Sequence, residues 1–293
     1  MIVLASITFL AAIVNGALGY GFSSITVPLA LLFLSNRVLN PALVPIEVAL
    51  NAYVLWVNRA SLPAVWRRVL PIVFGLLPGV AIGTAIVSQV NPSWLKFFTF
   101  VVLLPLILLQ AAGYRRPIRA ERAVGAVFGG GVGILYAVTT ISGPPLAVML
   151  SNQGLAKKDF RAGLGLVRLA ESTLTAIAYY YVGLYSVDSM RLIPWIVPSI
   201  MVGVPIGSFV IRHVQPETFR RICMSFDAWI VGFGLSTLCR DLGLIQGPSA
   251  FLVLAVVGLI DSWLLYRFFS VPGRLARPSF EEGRVAGYES KRV

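Results

Sequence analysis

The chain has 293 residues, of which 57% are hydrophobic and only 12% charged, and its mean hydropathy is +0.84. No soluble core of this length is so apolar, and long apolar runs without the ten-residue alternation of a membrane barrel leave helical spans as the reading. The formal net charge of +12 does not point to nucleic acid, because Lys and Arg fall in short loops and a C-terminal tail, where anionic lipid and the positive-inside rule act.

In chain order, the first predicted elements are short. Ile2–Asn15 and Phe22–Ser35 are two apolar pieces separated by GALGYG. No Lys or Arg precedes Arg37, so the basic start of a cleaved signal peptide is missing and the N-terminus is expected to be retained. Three apolar segments follow over 41–58, 69–88 and 95–113, each close to the ~20 residues needed to cross a bilayer. Then come two more short pieces, Val124–Thr139 and Pro144–Asn152, separated by TISG, and four full-length segments over 163–184, 191–211, 219–238 and 249–269.

The order repeats. GVAIGTAIVSQVNP (Gly79–Pro92) returns as GVPIGSFVIRHVQP (Gly203–Pro216), with six of fourteen positions identical at an offset of 124. The same offset aligns EVALNA (Glu47–Ala52) with ESTLTA (Glu171–Ala176). TVPLALLFL (Thr26–Leu34) pairs with GPPLAVMLS (Gly143–Ser151) at an offset of 117, the difference falling in a polar loop around Gln153–Asp159. Two weakly similar halves in a membrane chain are the signature of many secondary transporters.

Charge decides how the short pieces sit. If both broken regions cross, the two faces carry nine and fourteen Lys or Arg residues. If both are re-entrant, one face carries only Arg37, Lys96, Arg191 and Arg240 and the other carries nineteen. Such a split is what the positive-inside rule predicts for short loops. Each half is then one re-entrant hairpin plus three crossings, an odd number, so the second half is inverted. The expected organisation is a first repeat over 1–113, a basic cytoplasmic linker over 114–123 and a second repeat over 124–241. An extra transmembrane helix over 249–269 and a cytoplasmic tail over 270–293 complete it. In this arrangement the N-terminus lies outside the cell membrane and the C-terminus in the cytoplasm.

The hairpin tips are the first candidates for chemistry. In GALGYGFSS, Gly19 and Gly21 permit tight turning, and Ser23 or Ser24 can cap the outgoing half-helix. In TISGPP, Ser142 can cap, while Gly143 and Pro144 open the next half-helix, where a missing N–H costs nothing. Two half-helix N-termini pointing inward favour an anion; the alternative is a pair of Gly/Pro kinks that only help packing. GALGYGFSSITVP and GGGVGILYAVTTISGPP resemble the paired glycine-rich, proline-terminated motifs of the TauE/SafE family of sulfite-exporter and sulfonate-permease-like membrane proteins. The resemblance covers about residues 5–240 and implies transport of a small, often sulfur-containing anion such as sulfite or an organosulfonate. FSS stands where members often have further glycines.

Glu47, Arg168, Glu171, Asp227 and Asp261 all fall within predicted crossings, and each is expensive there. Glu47 and Glu171 occupy equivalent repeat positions, and as coupling residues they could carry a proton between faces; alternatively they bond broken backbone. Arg168 either pairs with Glu171 three residues on or offers its planar fork to the substrate oxyanion. Asp261 suggests packing or an oligomer contact, a homodimer included, and His213 a solvated helix end. Cys223 and Cys239 lie ~24 Å apart on one predicted helix, too far to bridge.

No metal cluster, nucleophile elbow or phosphate-binding loop is present in the sequence, so no enzyme, cofactor or metal is expected. The reading is an all-α polytopic membrane protein of two inverted repeats, a secondary transporter of a small anion in the lipid bilayer, working by alternating access. A passive anion channel and a non-transporting membrane scaffold are the rivals.

Overall fold

A computed structural model of the chain describes residues 1–18, 21–112, 121–152, 157–211, 213–214 and 216–270. No strand occurs among them. In chain order the helices are α1 (Ile2–Leu18), α2 (Phe22–Ala30), α3 (Asn36–Val57), α4 (Leu62–Gln89), α5 (Pro92–Ala111) and α6 (Glu121–Thr139). They continue as α7 (Gly143–Asn152), α8 (Lys157–Val182), the single turn α9 (Val187–Met190), α10 (Ile193–Val210), α11 (Pro216–Asp241) and α12 (Leu252–Ser270). Helix is the only solution for such runs in hydrocarbon, where each backbone N–H and C=O needs a partner within its own segment.

Both expected breaks are present. The chain leaves the helix between α1 and α2 and again at Thr140–Ser142, between α6 and α7. Among the described residues, six helical stretches are long and apolar enough to cross a membrane, one fewer than the seven full-length segments expected. The difference is α8. It is long enough, at 26 residues, but it carries Arg168, Glu171, Ser172 and Thr175, all of them buried inside the protein. A helix wrapped by its neighbours has no need of a lipid-compatible surface all round.

Some boundaries shift. The expected linker over 114–123 lies partly outside the described residues, and its last three residues, Glu121–Ala123, already belong to α6. Lys157–Asp159, expected in the polar loop around Gln153–Asp159, form the first turn of α8. Of the expected tail over 270–293, Ser270 is the last residue of α12, and the rest lies outside the described residues. Two residues counted as loop charges are engaged instead. Arg37 donates from Nε to Val87 O (2.9 Å) and from Nη2 to Ser88 O (2.7 Å) and Val90 O (2.9 Å), closing the C-terminal end of α4. A cation there meets the negative end of the helix dipole.

Arg221 is the second correction. It lies in α11, is 3% exposed, and pairs with Asp261 of α12 at 2.9 Å. Asp261 also accepts from Ser225 Oγ (3.2 Å) and Trp229 Nε1 (3.1 Å). Its carboxylate is thus fully used within the chain and buried, which removes it as an oligomer contact.

The helices pack by exchange. α1 runs along α10, and α6 runs along α4, so the first half-helix of each sequence half lies against the other half. The approach is closer than side chains allow. A Cβ at Gly207 would collide with Ile13 O of α1, and one at Gly79 with Gly130 O of α6. In a bilayer, small residues of this kind replace the hydrophobic effect as the source of helix association, because they let backbones touch. Ser199 and Ser208 of α10 add hydrogen bonds to Ala5 O (3.0 Å) and Gly16 O (3.2 Å) of α1.

Gly207→Ala is therefore expected to destabilise the protein by more than the ~1–3 kcal/mol of ordinary overpacking, because backbone must move. Gly131→Ala, where a Cβ would meet nothing within 4 Å, is expected to be neutral or stabilising by up to ~1 kcal/mol. Thermal unfolding of the two purified variants in one detergent checks the contrast; equal effects would sink the close-approach account.

Candidate functional site

Two helices that face each other each carry a stripe of buried polar residues. On α3, Asn36, Asn40, Glu47 and Asn51 are buried, a spacing that keeps all four on one face. On α8, Arg168, Glu171, Ser172, Thr175 and Tyr179 are buried in the same way. The two helices pack together, so a polar stripe meets a polar stripe in the middle of the protein.

A continuous chain of contacts crosses this stripe from one helix break to the other. Ser23, in the first turn of α2, donates its hydroxyl to Glu47 Oε1. Tyr136 of α6 donates to Glu47 Oε2 (2.7 Å). Arg168 Nη2 pairs with Glu47 Oε1 at 3.2 Å, and Arg168 Nε stands 4.0 Å from Glu171 Oε1. Ser142, the residue before α7, donates to Glu171 Oε1. Asn51 Nδ2 and Ser172 Oγ reach the backbone carbonyl of Arg168 at 3.4 and 2.7 Å. Both glutamates and the arginine are buried. The set carries two carboxylates and one guanidinium, and Arg168 Nε and Glu171 Oε2 have no hydrogen-bond partner among the described residues.

The broken end of α6 is satisfied by a second group. Thr140 adopts a left-handed conformation with φ 55°, and Thr139 Oγ1 accepts from Ile141 N (3.0 Å). Asn36 and Asn40 donate to Val138 O at 3.2 and 2.7 Å, and Tyr179 donates to Ala137 O. Carbonyls released where the helix stops are thus met by side chains, as backbone at such depth requires.

A cavity lies between the two breaks. Gly21, Ser24 and Ile25 line it from the first tip and Ile141 and Pro145 from the second, with α5 and α11 closing the sides. Gly21 is the N-cap of α2 in a left-handed conformation, φ 104° and ψ 0°, which glycine adopts without strain. Asp227 of α11 completes the wall, beside Cys223.

The expected site residues therefore divide. Gly21 and Ser24 face the cavity. Ser23 and Ser142 do not act as caps of the kind expected: α2 has no side-chain cap, and both hydroxyls go to glutamates. The reason is local: Ser23 lies inside α2, after its N-cap Gly21, and the residues after Gly143, which a cap at Ser142 would serve, are Pro144 and Pro145, without N–H groups. Arg168 is absent from the cavity wall and lies between Glu47 and Glu171, with Nη2 bonded to Glu47 and Nε 4.0 Å from Glu171. Gly143 is buried at the start of α7, and the backbone of Pro144 follows it in that helix. Gly19 lies outside the described residues. Glu47 and Glu171 do reach one central region, and their partners are side chains, not the broken backbone. Sequence reasoning missed Tyr136 and the three asparagines of α3, although the spacing of Asn36, Asn40 and Glu47 on one face was available as a signal.

Six apolar helical stretches around a buried polar centre define a multi-pass helical membrane protein. The profile of the family described as "Sulfite exporter TauE/SafE" matches residues 4–234, and the chain belongs to that family of membrane transporters. It is similar to a Cupriavidus necator (strain H16) protein described as "Probable sulfite/organosulfonate exporter TauE", with 24% identity over 177 residues. That similarity covers 59% of this chain and 68% of the relative. No solved structure matches the chain.

Glu47→Ala is expected to lower stability by ~3–5 kcal/mol, because it strands a buried guanidinium. Arg168→Ala should do the same from the other side. The double variant is expected to lose less than the sum of the two, by ~0.5–3 kcal/mol. Denaturant unfolding of the three variants provides the cycle, and strict additivity would dissolve the link between the tips.

Proposed function

We propose that the protein is a secondary transporter of a small sulfur-containing anion, sulfite or an organosulfonate, and that the anion binds in the cavity between the two helix breaks. The observation that carries this reading is the composition of the cavity wall, where the first turns of two opposed half-helices, at Gly21–Ile25 and at Ile141–Pro145, meet. At the first tip the N–H groups of Phe22, Ser23 and Ser24 have no partner within α2 and attract negative charge; at the second, Pro144 and Pro145 carry no N–H, so that tip offers Gly143 N–H and the helix dipole. Ser24 adds a hydroxyl beside them. Family membership and the description of the Cupriavidus relative supply the chemical class of the cargo.

The two halves are read as inverted repeats, each with a re-entrant hairpin. The exchange of α1 onto α10 and of α6 onto α4 supports this, because a two-fold relation in the membrane plane generates both contacts from one. The same faces agree with the aromatic pattern: Arg59 stacks on Trp56 (4.2 Å) at the α3–α4 end and Arg267 on Trp263 (5.5 Å) near the end of α12. Both ends are assigned to the cytoplasmic interface, where aromatic and basic residues anchor, with the N-terminus outside. Alternating access then comes from movement of one repeat against the other. Glu47, Arg168 and Glu171 transmit it, since Ser23 of one tip and Ser142 of the other are held by the same three charges.

Two measurements test this reading. Single cysteines at Ser35 and Asn152, in a background without Cys223 and Cys239, should label from opposite faces, Ser35 from outside; labelling from one face excludes inversion. In calorimetric titrations with sulfite and sulfonates, Ile25→Trp should abolish binding by filling the cavity. Ser24→Val should weaken binding about ten-fold, the loss of one hydrogen bond to a charged group. Wild-type affinity in both folded variants would move the site elsewhere.

A further inference from the structure

The cavity poses an electrostatic problem for an anion. Asp227 lines it, is 5% exposed, and has no hydrogen-bond or ion-pair partner among the described residues. Among the described residues no Lys, Arg or His lines the cavity. Arg168, which lies between the two tip-bound glutamates, is held by Glu47. On α11 itself, Cys223 shares the wall with Asp227, while Arg221 bonds Ser225 and Asp261. The elements packed against α11 offer no counter-charge at this depth. α1 and α2 contain no titratable side chain, α5 has only Lys96 in its first turns, and the one acidic residue of α12, Asp261, is consumed by Arg221 and Trp229.

An ionised Asp227 would therefore repel the cargo across a low-dielectric space with nothing between them. A neutral Asp227 does the opposite: its carboxyl O–H becomes a hydrogen-bond donor to an oxyanion. We propose that Asp227 is protonated whenever the anion occupies the cavity, so that each anion moves together with one proton on this carboxyl. The proposal rests on the anion reading of the cavity and deepens it by naming the coupled ion and the group that holds it. It places the proton on Asp227 in place of Glu47 and Glu171, whose carboxyl groups are tied to the tip hydroxyls and Tyr136. When the anion leaves, the proton passes from Asp227 to water on the side to which the cavity opens, and charge and proton balance close over one cycle.

The experiment uses the full-length purified protein and methanesulfonate or larger sulfonates that carry no group titrating near neutrality. Sulfite is avoided for the count because it takes up a proton itself in that range. Calorimetric titrations in two buffers of different ionisation enthalpy, from about pH 5 to about pH 8, count protons taken up per anion bound. Wild type should take up close to one proton where Asp227 is ionised in the free protein, with affinity falling about ten-fold per pH unit there. Asp227→Asn keeps a donor of the same shape and should bind with no proton uptake and a flat pH profile. In a Cys239→Ser background, alkylation of Cys223 should slow when the sulfonate is present, in wild type and in Asp227→Asn alike.

Other results separate the two claims. Protection of Cys223 without proton uptake by wild type would overturn the role of Asp227 while leaving the cavity as the anion site. Proton uptake that survives in Asp227→Asn would overturn it too, and would return the proton to Glu47 or Glu171. Binding that requires sodium in place of a proton would make Asp227 a cation ligand and reject the proposal. No sulfonate binding and no protection in wild type would overturn the anion reading, and this proposal with it.

Discussion

A single buried guanidinium organises the centre of this protein. Arg168 lies between the carboxyl groups of Glu47 and Glu171. A guanidinium could not be buried there without an acidic partner, nor an ionised glutamate without a cation. Hydroxyl donors complete the cluster, Ser23 and Tyr136 on Glu47 and Ser142 on Glu171. Those hydroxyls sit at the two helix breaks and on α6. The places where backbone is weakest are therefore tied to the strongest electrostatic feature of the molecule.

Around that centre, association depends on contact and not on water. The α1–α10 and α4–α6 pairs touch backbone to backbone at glycine, whereas α3 and α8 join through polar side chains. These are two different kinds of interface. The glycine seams, which join helices of different sequence halves, have little side-chain structure to rearrange. The α3–α8 seam is a short set of directional bonds, each of them made or broken.

Much of the architecture was legible in the sequence. The apolar runs, the two breaks and the internal repeat all have one-dimensional signatures, and the helices fall where those signatures place them. α8 was harder to read, since its polar residues look like a flaw in a lipid-facing span until α3 supplies a matching stripe. Arg37 and Arg221 illustrate a second limit. Charge counting treats each basic residue as loop charge, but Arg37 closes the end of α4 and Arg221 is paired inside the protein. Contacts of long sequence separation carry no local mark, so the partners of Glu47 at Ser23, Tyr136 and Arg168 could not be chosen from spacing. The repeat did identify Glu47 and Glu171 as a pair, because equivalence by symmetry is written in the sequence even when contact is not.

The Arg221–Asp261 pair has a consequence for how the chain enters the membrane. α11 and α12 are consecutive, and each carries a charge that is costly in lipid when alone. Together they present a neutral pair with Ser225 and Trp229 filling the remaining bonding positions on the aspartate. Insertion of the two as a hairpin avoids exposing either charge to hydrocarbon. The last helix, which lies outside the repeat, thus serves as a built-in escort for the one before it, and a chain ending ahead of Leu252 would leave Arg221 in the bilayer without its counter-ion.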